Sequence, residues 1–107
     1  MIVVTEENFE DVILKSKLPV LLDVFGLSCP PCKRIAPLIE ELSEALEGRA
    51  VVAKLAVEDS PELAVRLGVN SVPTFIFYQD GAVTNRMVGI QSREKLLAAL
   101  GATNSVG

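Results

Sequence analysis

Histidine is absent from the 107 residues. That excludes histidine activation of a nucleophile, histidine metal ligation and the commonest general base at neutral pH. Cysteine is nearly as scarce, with only Cys29 and Cys32 present. A pair three positions apart cannot staple distant parts of a fold as secreted disulfide scaffolds do, so its value is local. No apolar run exceeds about five residues, against the ~18 or more that a membrane-spanning helix needs. Residues 1–10 carry Glu6, Glu7 and Glu10 but no lysine or arginine, unlike the basic and apolar regions of a secretory signal. A cytoplasmic protein with no membrane partner is expected. Basic charge is also in deficit, at 10 Lys and Arg against 14 Asp and Glu for a formal net charge of -4. Nucleic acid is a poor partner for such a chain.

Hydrophobic residues make up 50% of the sequence and charged residues 22%, which suits one folded domain over residues 1–107 with a single core. Ile2 to Val4 reads as a short strand, followed by a helix that Thr5 or Asn8 could cap and whose apolar face holds Phe9, Val12 and Ile13. Val20 to Phe25 is apolar on both alternating faces apart from Asp23, the pattern of a central strand covered on both sides. From Pro31 to Glu47, Ile35, Leu38, Ile39, Leu42 and Leu46 recur at helical spacing, and Gly48 supplies the stop. Pro37 inside that helix predicts a kink. Ala50 to Val57 forms a second buried strand. Ser60 is placed to cap a helix with Pro61 at its first position and Gly68 just past its end.

Thr74 to Tyr78 and Ala82 to Val88 are strands joined around Gln79-Asp80-Gly81, whose Asp-Gly pair favours a tight antiparallel hairpin. Ser92 starts a last helix carrying Leu96, Leu97 and Leu100, and the tail Thr103 to Gly107 is expected to fray. The order β-α-β-α-β-α-β-β-α implies an α/β fold, a mixed central sheet with helices on both faces.

Cys29-Pro30-Pro31-Cys32 follows the central strand and opens the long helix, at the carboxyl edge of the sheet where α/β proteins tend to place chemistry. Two cysteines at this spacing can close a small disulfide ring. The helix N-terminus offers backbone donors and partial positive charge that stabilise a thiolate on Cys29, the expected nucleophile. Pro31 fits the first turn, where a missing N–H costs little, and Lys33 and Arg34 add positive charge. The competing reading is a pair of buried structural cysteines or half of a zinc site. Zinc takes four ligands, so here a metal would have to bridge two chains. The strand-CxxC-helix context favours redox chemistry, in which a Cys29-Cys32 disulfide would itself be the redox group and no metal or other cofactor is expected. Asp23 must be desolvated or locally hydrogen-bonded within its apolar strand, and burial should raise its pKa. The alternative is an aspartate at a strand end facing trapped water.

Leu22-Asp23-Val24-Phe25, the CxxC followed by Lys33, Ile35-Ala36-Pro37, Lys54, Val72-Pro73-Thr74, Asp80-Gly81 and Val88-Gly89 resemble the thioredoxin family over almost the whole chain. The resemblance implies a thioredoxin fold and a monomeric, general protein disulfide reductase. Its partners would be disulfide-containing proteins and a thioredoxin reductase, NADPH- or ferredoxin-linked. It places Asp23 behind the disulfide, assisting proton transfer at the resolving Cys32, with Lys54 as its electrostatic partner. It makes Pro73 cis and turns it toward the CxxC, leaving Val72 free to pair with an extended substrate segment. Val57, Gly89 and Ile90 would complete a shallow apolar patch. Pro37, Gly81 and Gly89 read as structural, and Phe9, Phe75 and Phe77 as core.

The chain also departs from the family pattern. Ser28 stands where the family carries tryptophan, Pro30 where it carries glycine, and Phe25 replaces another tryptophan. Pro30 removes a donor and stiffens the loop, so a shifted reduction potential is expected. Two other readings stand beside this one. A glutaredoxin-like thiol transferase also has a CPxC loop and a Val-Pro dipeptide, though Asp23 and the long Pro37 helix argue against it. A redox-independent binding module would use the apolar patch around Pro73.

Overall fold

The computed structural model describes residues 1–101. The tail Thr103 to Gly107, expected to fray, lies outside the described residues. Five strands, β1 (Ile2–Val3), β2 (Val20–Phe25), β3 (Val51–Ala56), β4 (Thr74–Gln79) and β5 (Ala82–Val88), form one sheet in the order β1-β3-β2-β4-β5. β3 is parallel to both β1 and β2, whereas β4 is antiparallel to β2 and β5. The mixed sheet expected from the element order is therefore present, and β2 lies in its middle. The composition of β2 explains its place: Val20, Leu21, Leu22 and Val24 are fully buried, as only a strand covered on both sides requires.

Among the described residues, three α-helices, α1 (Pro30–Ala45), α2 (Pro61–Arg66) and α3 (Arg93–Leu100), accompany the sheet with a π-helical segment at Glu10–Leu14. They divide between the two faces. On one face, Leu21, Val52, Phe75 and Phe77 of the sheet pack with Ile35, Ile39 and Leu42 of α1 and Leu96 and Leu100 of α3. On the other, Val20, Leu22, Val24, Leu55 and Ile76 pack with Ile13 of the π-helical segment and Leu63 of α2. Strand alternation produces this division, because successive side chains of β2 point to opposite faces. Phe75 and Phe77 are core residues, and Phe9 packs at its margin with its ring edge-on to Tyr78.

Several local expectations need correction. The first helix is not capped by Thr5 or Asn8. The Asn8 side chain ties the chain backward, accepting the Thr5 N–H at 2.8 Å and donating to the Val3 carbonyl at 2.9 Å. The helical turn that follows is of the wide π type and has no side-chain cap. Ser60 precedes α2 as expected, yet it is buried and its side chain makes no capping bond. α1 begins at Pro30, one residue earlier than the periodicity indicates, because Cys29 already serves as its cap; Pro37 lies within it. The hairpin is as expected: Asp80 and Gly81 both have positive φ, 54° and 82°, as the two-residue type I′ turn demands. Ser92 caps α3, accepting the Lys95 N–H at 3.2 Å.

Candidate active site

β2 delivers the chain to its carboxyl end at Phe25, and Gly26 to Ser28 carry it to Cys29. Cys29 has extended backbone dihedrals and caps α1 through sulfur, its Sγ accepting the Cys32 N–H at 3.2 Å. The Lys33 N–H bonds the Cys29 carbonyl at 3.1 Å. Pro30 and Pro31 fill the first helical positions, where an N–H would have had no partner within the helix. Cys29 and Cys32 are joined as a disulfide with Cα atoms 5.2 Å apart. Both residues are buried. One helix-end donor, the Cys32 N–H, thus reaches the Cys29 sulfur, which lies at the partially positive N-terminus of α1, where negative charge is favoured.

The loop before β4 closes over this sulfur. The Val72-Pro73 bond is cis, and the Val72 carbonyl oxygen lies 3.7 Å from Cys29 Sγ. Pro73 is buried and Val72 half-buried. Among the described residues, neither the N–H nor the carbonyl of Val72 makes a backbone hydrogen bond, so one peptide edge is open for pairing beside the disulfide. The Gly89 N–H donates to the Pro73 carbonyl at 2.8 Å, which brings the end of β5 to the same loop. Val57 and Val72 line a groove of about 400 Å³ together with Pro61, Ala64, Val65 and Val69. Ser28 and Ile90 are exposed and do not line that groove.

Behind the disulfide, a cleft of about 170 Å³ opens between Asp23, Phe25, Leu27, Cys32, Ile39 and Lys54, with Lys33 also lining it. Asp23 reaches it from the middle of β2, directly beside Lys54 in the register of β3. The residue is only 7% exposed, and among the described residues its Oδ1 has no hydrogen-bond partner. Burial pushes its pKa up from 3.8 to about 7, against the opposing pull of the Lys54 charge. A carboxyl group with that affinity exchanges its proton near neutral pH. It lines the same cleft as Cys32 and not the outer surface where Cys29 meets Val72. Among the described residues, no group of three or more His, Cys, Asp or Glu side chains is arranged to hold a metal ion.

Two residues at the site escaped the sequence reading. Glu58 reaches across from the end of β3 and accepts the Leu27 N–H, with both carboxylate oxygens 3.1 Å from the nitrogen. Gly26 lies in a tight corner, where an added Cβ would stand 3.3 Å from Val72 Cγ2 and 3.4 Å from Cys29 Cβ. The one available signal was position, since Glu58 directly follows the patch residue Val57.

The thioredoxin family model matches residues 1–102. The chain is 36% identical over 94 residues to the thioredoxin of Rickettsia bellii (strain RML369-C), covering 88% of this chain and 90% of that protein. It is 38% identical over 96 residues to the thioredoxin of Alicyclobacillus acidocaldarius subsp. acidocaldarius, covering 90% of each. With the thioredoxin of Chlorobaculum thiosulfatiphilum the identity is 40% over 85 residues and 79% of each chain. Likeness of this extent, in a chain whose cysteine pair sits bonded at a helix start on a mixed sheet, makes it a member of the thioredoxin family and a dithiol-disulfide reductase of proteins.

Proposed function

We propose that residues 1–107 act as one redox domain in which Cys29 attacks and Cys32 resolves. The Cys29 thiolate attacks one sulfur of a substrate disulfide; that S–S bond breaks, a mixed disulfide forms, and the first substrate sulfur leaves and takes up a proton. Cys32, losing its proton to Asp23 directly or through water, attacks Cys29 Sγ. The Cys29-Cys32 disulfide closes and the second substrate sulfur leaves, so two electrons have passed to the substrate. The observation that carries this assignment is the capping geometry: Cys29 Sγ receives the Cys32 N–H at 3.2 Å and faces the open Val72 edge, while Cys32 lines the cleft that holds Asp23.

In this reading Lys54 tunes Asp23, Lys33 adds positive charge at the helix start, and Pro30 and Pro31 stiffen the loop. Val72 pairs with an extended stretch of substrate beside Pro73. Val57, Ser28, Gly89 and Ile90 supply further contact surface. The bonded cysteine pair is the redox group and no bound cofactor takes part. The working form is a cytoplasmic monomer recycled by a thioredoxin reductase, since each turnover leaves the pair oxidised and a reducing compartment must restore it.

Cys32→Ser is expected to accumulate covalent mixed disulfides with oxidised protein substrates, whereas Cys29→Ser should accumulate none. Non-reducing gel electrophoresis reads the difference, and equal trapping by both variants would overturn the assignment. Turnover driven in parallel by NADPH plus a thioredoxin reductase, by glutathione, and by dithiothreitol identifies the electron donor. Efficient turnover with glutathione alone would favour a glutaredoxin-like reading.

A further inference from the structure

We infer that Glu58 is a positioning residue for the reductase reaction, its carboxylate holding the Gly26 to Ser28 corner against which the substrate chain docks beside Val72. The inference rests on the proposed docking at Val72. The pairing of β2 with β3 ends with the Val57 N–H donating to the Phe25 carbonyl at 2.9 Å. The next rung would need a partner for the Leu27 N–H, and the Glu58 side chain supplies it with both oxygens at 3.1 Å. A side chain thus extends the ladder one step past the point where the two backbones part. Charge-assisted bonds of this kind are the stronger class.

The corner it holds has no slack. The point where a Gly26 Cβ would stand is 3.3 Å from Val72 Cγ2, 3.4 Å from Cys29 Cβ and 3.6 Å from Glu58 Oε2. The brace, the nucleophile's own carbon and the docking residue therefore meet at one place. Leu27 is 51% exposed, so an apolar side chain stands out to solvent on the segment that Glu58 fixes. Glu58 and Val72 also line the same groove. By contrast, the bonds that cap Cys29 come from Cys32 and Lys33 within α1 and do not involve Glu58. Losing the brace should then weaken substrate docking while leaving the sulfur chemistry in place, which kinetically is a change in KM without a change in kcat.

The experiment measures KM and kcat of the full chain, with insulin as the protein disulfide and dithiothreitol as reductant. It also measures the rate at which iodoacetamide alkylates Cys29 in the reduced protein. Glu58→Ala should raise KM about fivefold, with kcat and the alkylation rate within about twofold of the parent. Glu58→Gln keeps a carbonyl acceptor for the Leu27 N–H and should restore KM to within about twofold. An unchanged KM in Glu58→Ala overturns the inference. So does a Gln variant as impaired as the Ala variant, or a parallel loss of kcat and alkylation rate. Val72→Asp, checked for folding by circular dichroism, tests the docking surface itself. If it leaves KM unchanged, the docking reading falls; if it raises KM while Glu58→Ala does not, only the role of Glu58 falls.

Discussion

Among the described residues, one strand residue on each face of the central sheet buries a polar atom without a hydrogen-bond partner, Asp23 Oδ1 of β2 on the α1 side and the Tyr78 hydroxyl of β4 on the α2 side. Their surroundings differ. Asp23 lines a cleft shared with Cys32 and Lys54, whereas Tyr78 belongs to an apolar cluster and meets the ring of Phe9. Burial raises both pKa values, Asp23 to about 7 and Tyr78 to about 12. Only the first lies where a proton can be exchanged at physiological pH. On the proposed mechanism, Asp23 is the orphaned group poised to titrate beside the reacting sulfur atoms, and the Tyr78 hydroxyl is a packing compromise.

Moving the carboxylate by one residue breaks this comparison most severely. Leu22→Asp turns a charge onto the closed face, where Leu22 is fully buried, and should cost more than about 5 kcal/mol, enough to unfold a marginally stable domain. Urea unfolding followed by circular dichroism reads the result, and a loss below about 2 kcal/mol would erase the distinction between the faces.

Asp23→Asn comes next. The variant should slow Cys32-dependent release of substrate by ~10- to 100-fold near pH 7, seen as a longer-lived mixed disulfide in rapid-quench experiments. It should also stabilise the fold. Because the folded pKa lies above the unfolded one, the parent's stability falls as pH rises from about 4 to about 7 and stays low above that. A rise from 3.8 to about 7 sets an upper bound of about 4 kcal/mol on the gain. The advantage should be full above about pH 7 and vanish below about pH 4. Equal unfolding midpoints of parent and variant at pH 8 would contradict it.

Tyr78→Phe has the smallest expected effect, a gain of up to ~1 kcal/mol from removing an unpartnered hydroxyl, with reductase activity unchanged. Its advantage should widen as pH rises through 10 toward 12, where ionising the buried phenol opposes folding. A loss above about 1 kcal/mol in thermal or urea unfolding would reveal a partner for that hydroxyl.

Much of the fold was legible because its signals are local. The apolar run interrupted only by Asp23 announced a central strand, Pro31 and the periodic leucines and isoleucines announced α1, and Asp80-Gly81 announced the hairpin. The cysteine pair was legible for the same reason, since four consecutive residues hold both sulfur atoms. What sequence reasoning missed depends on tertiary placement. Asn8 looked like a forward cap and instead bonds back to Thr5 and Val3. Ser60 has the composition of a cap, yet makes no capping bond. Glu58 and Leu27 are 31 positions apart and meet only because β3 lies beside β2, a neighbour relation that no spacing rule contains.

The disulfide is mounted at the end of the most enclosed strand of the sheet, flanked by β3 and β4, and roofed by the buried Pro73. Little of this framework can bend toward an incoming polypeptide. The ordering entropy of association therefore falls on the other partner. The expected consequence is that clients whose sulfur bridge sits in a pliant, extendable stretch react faster than clients that hold theirs inside a stiff core.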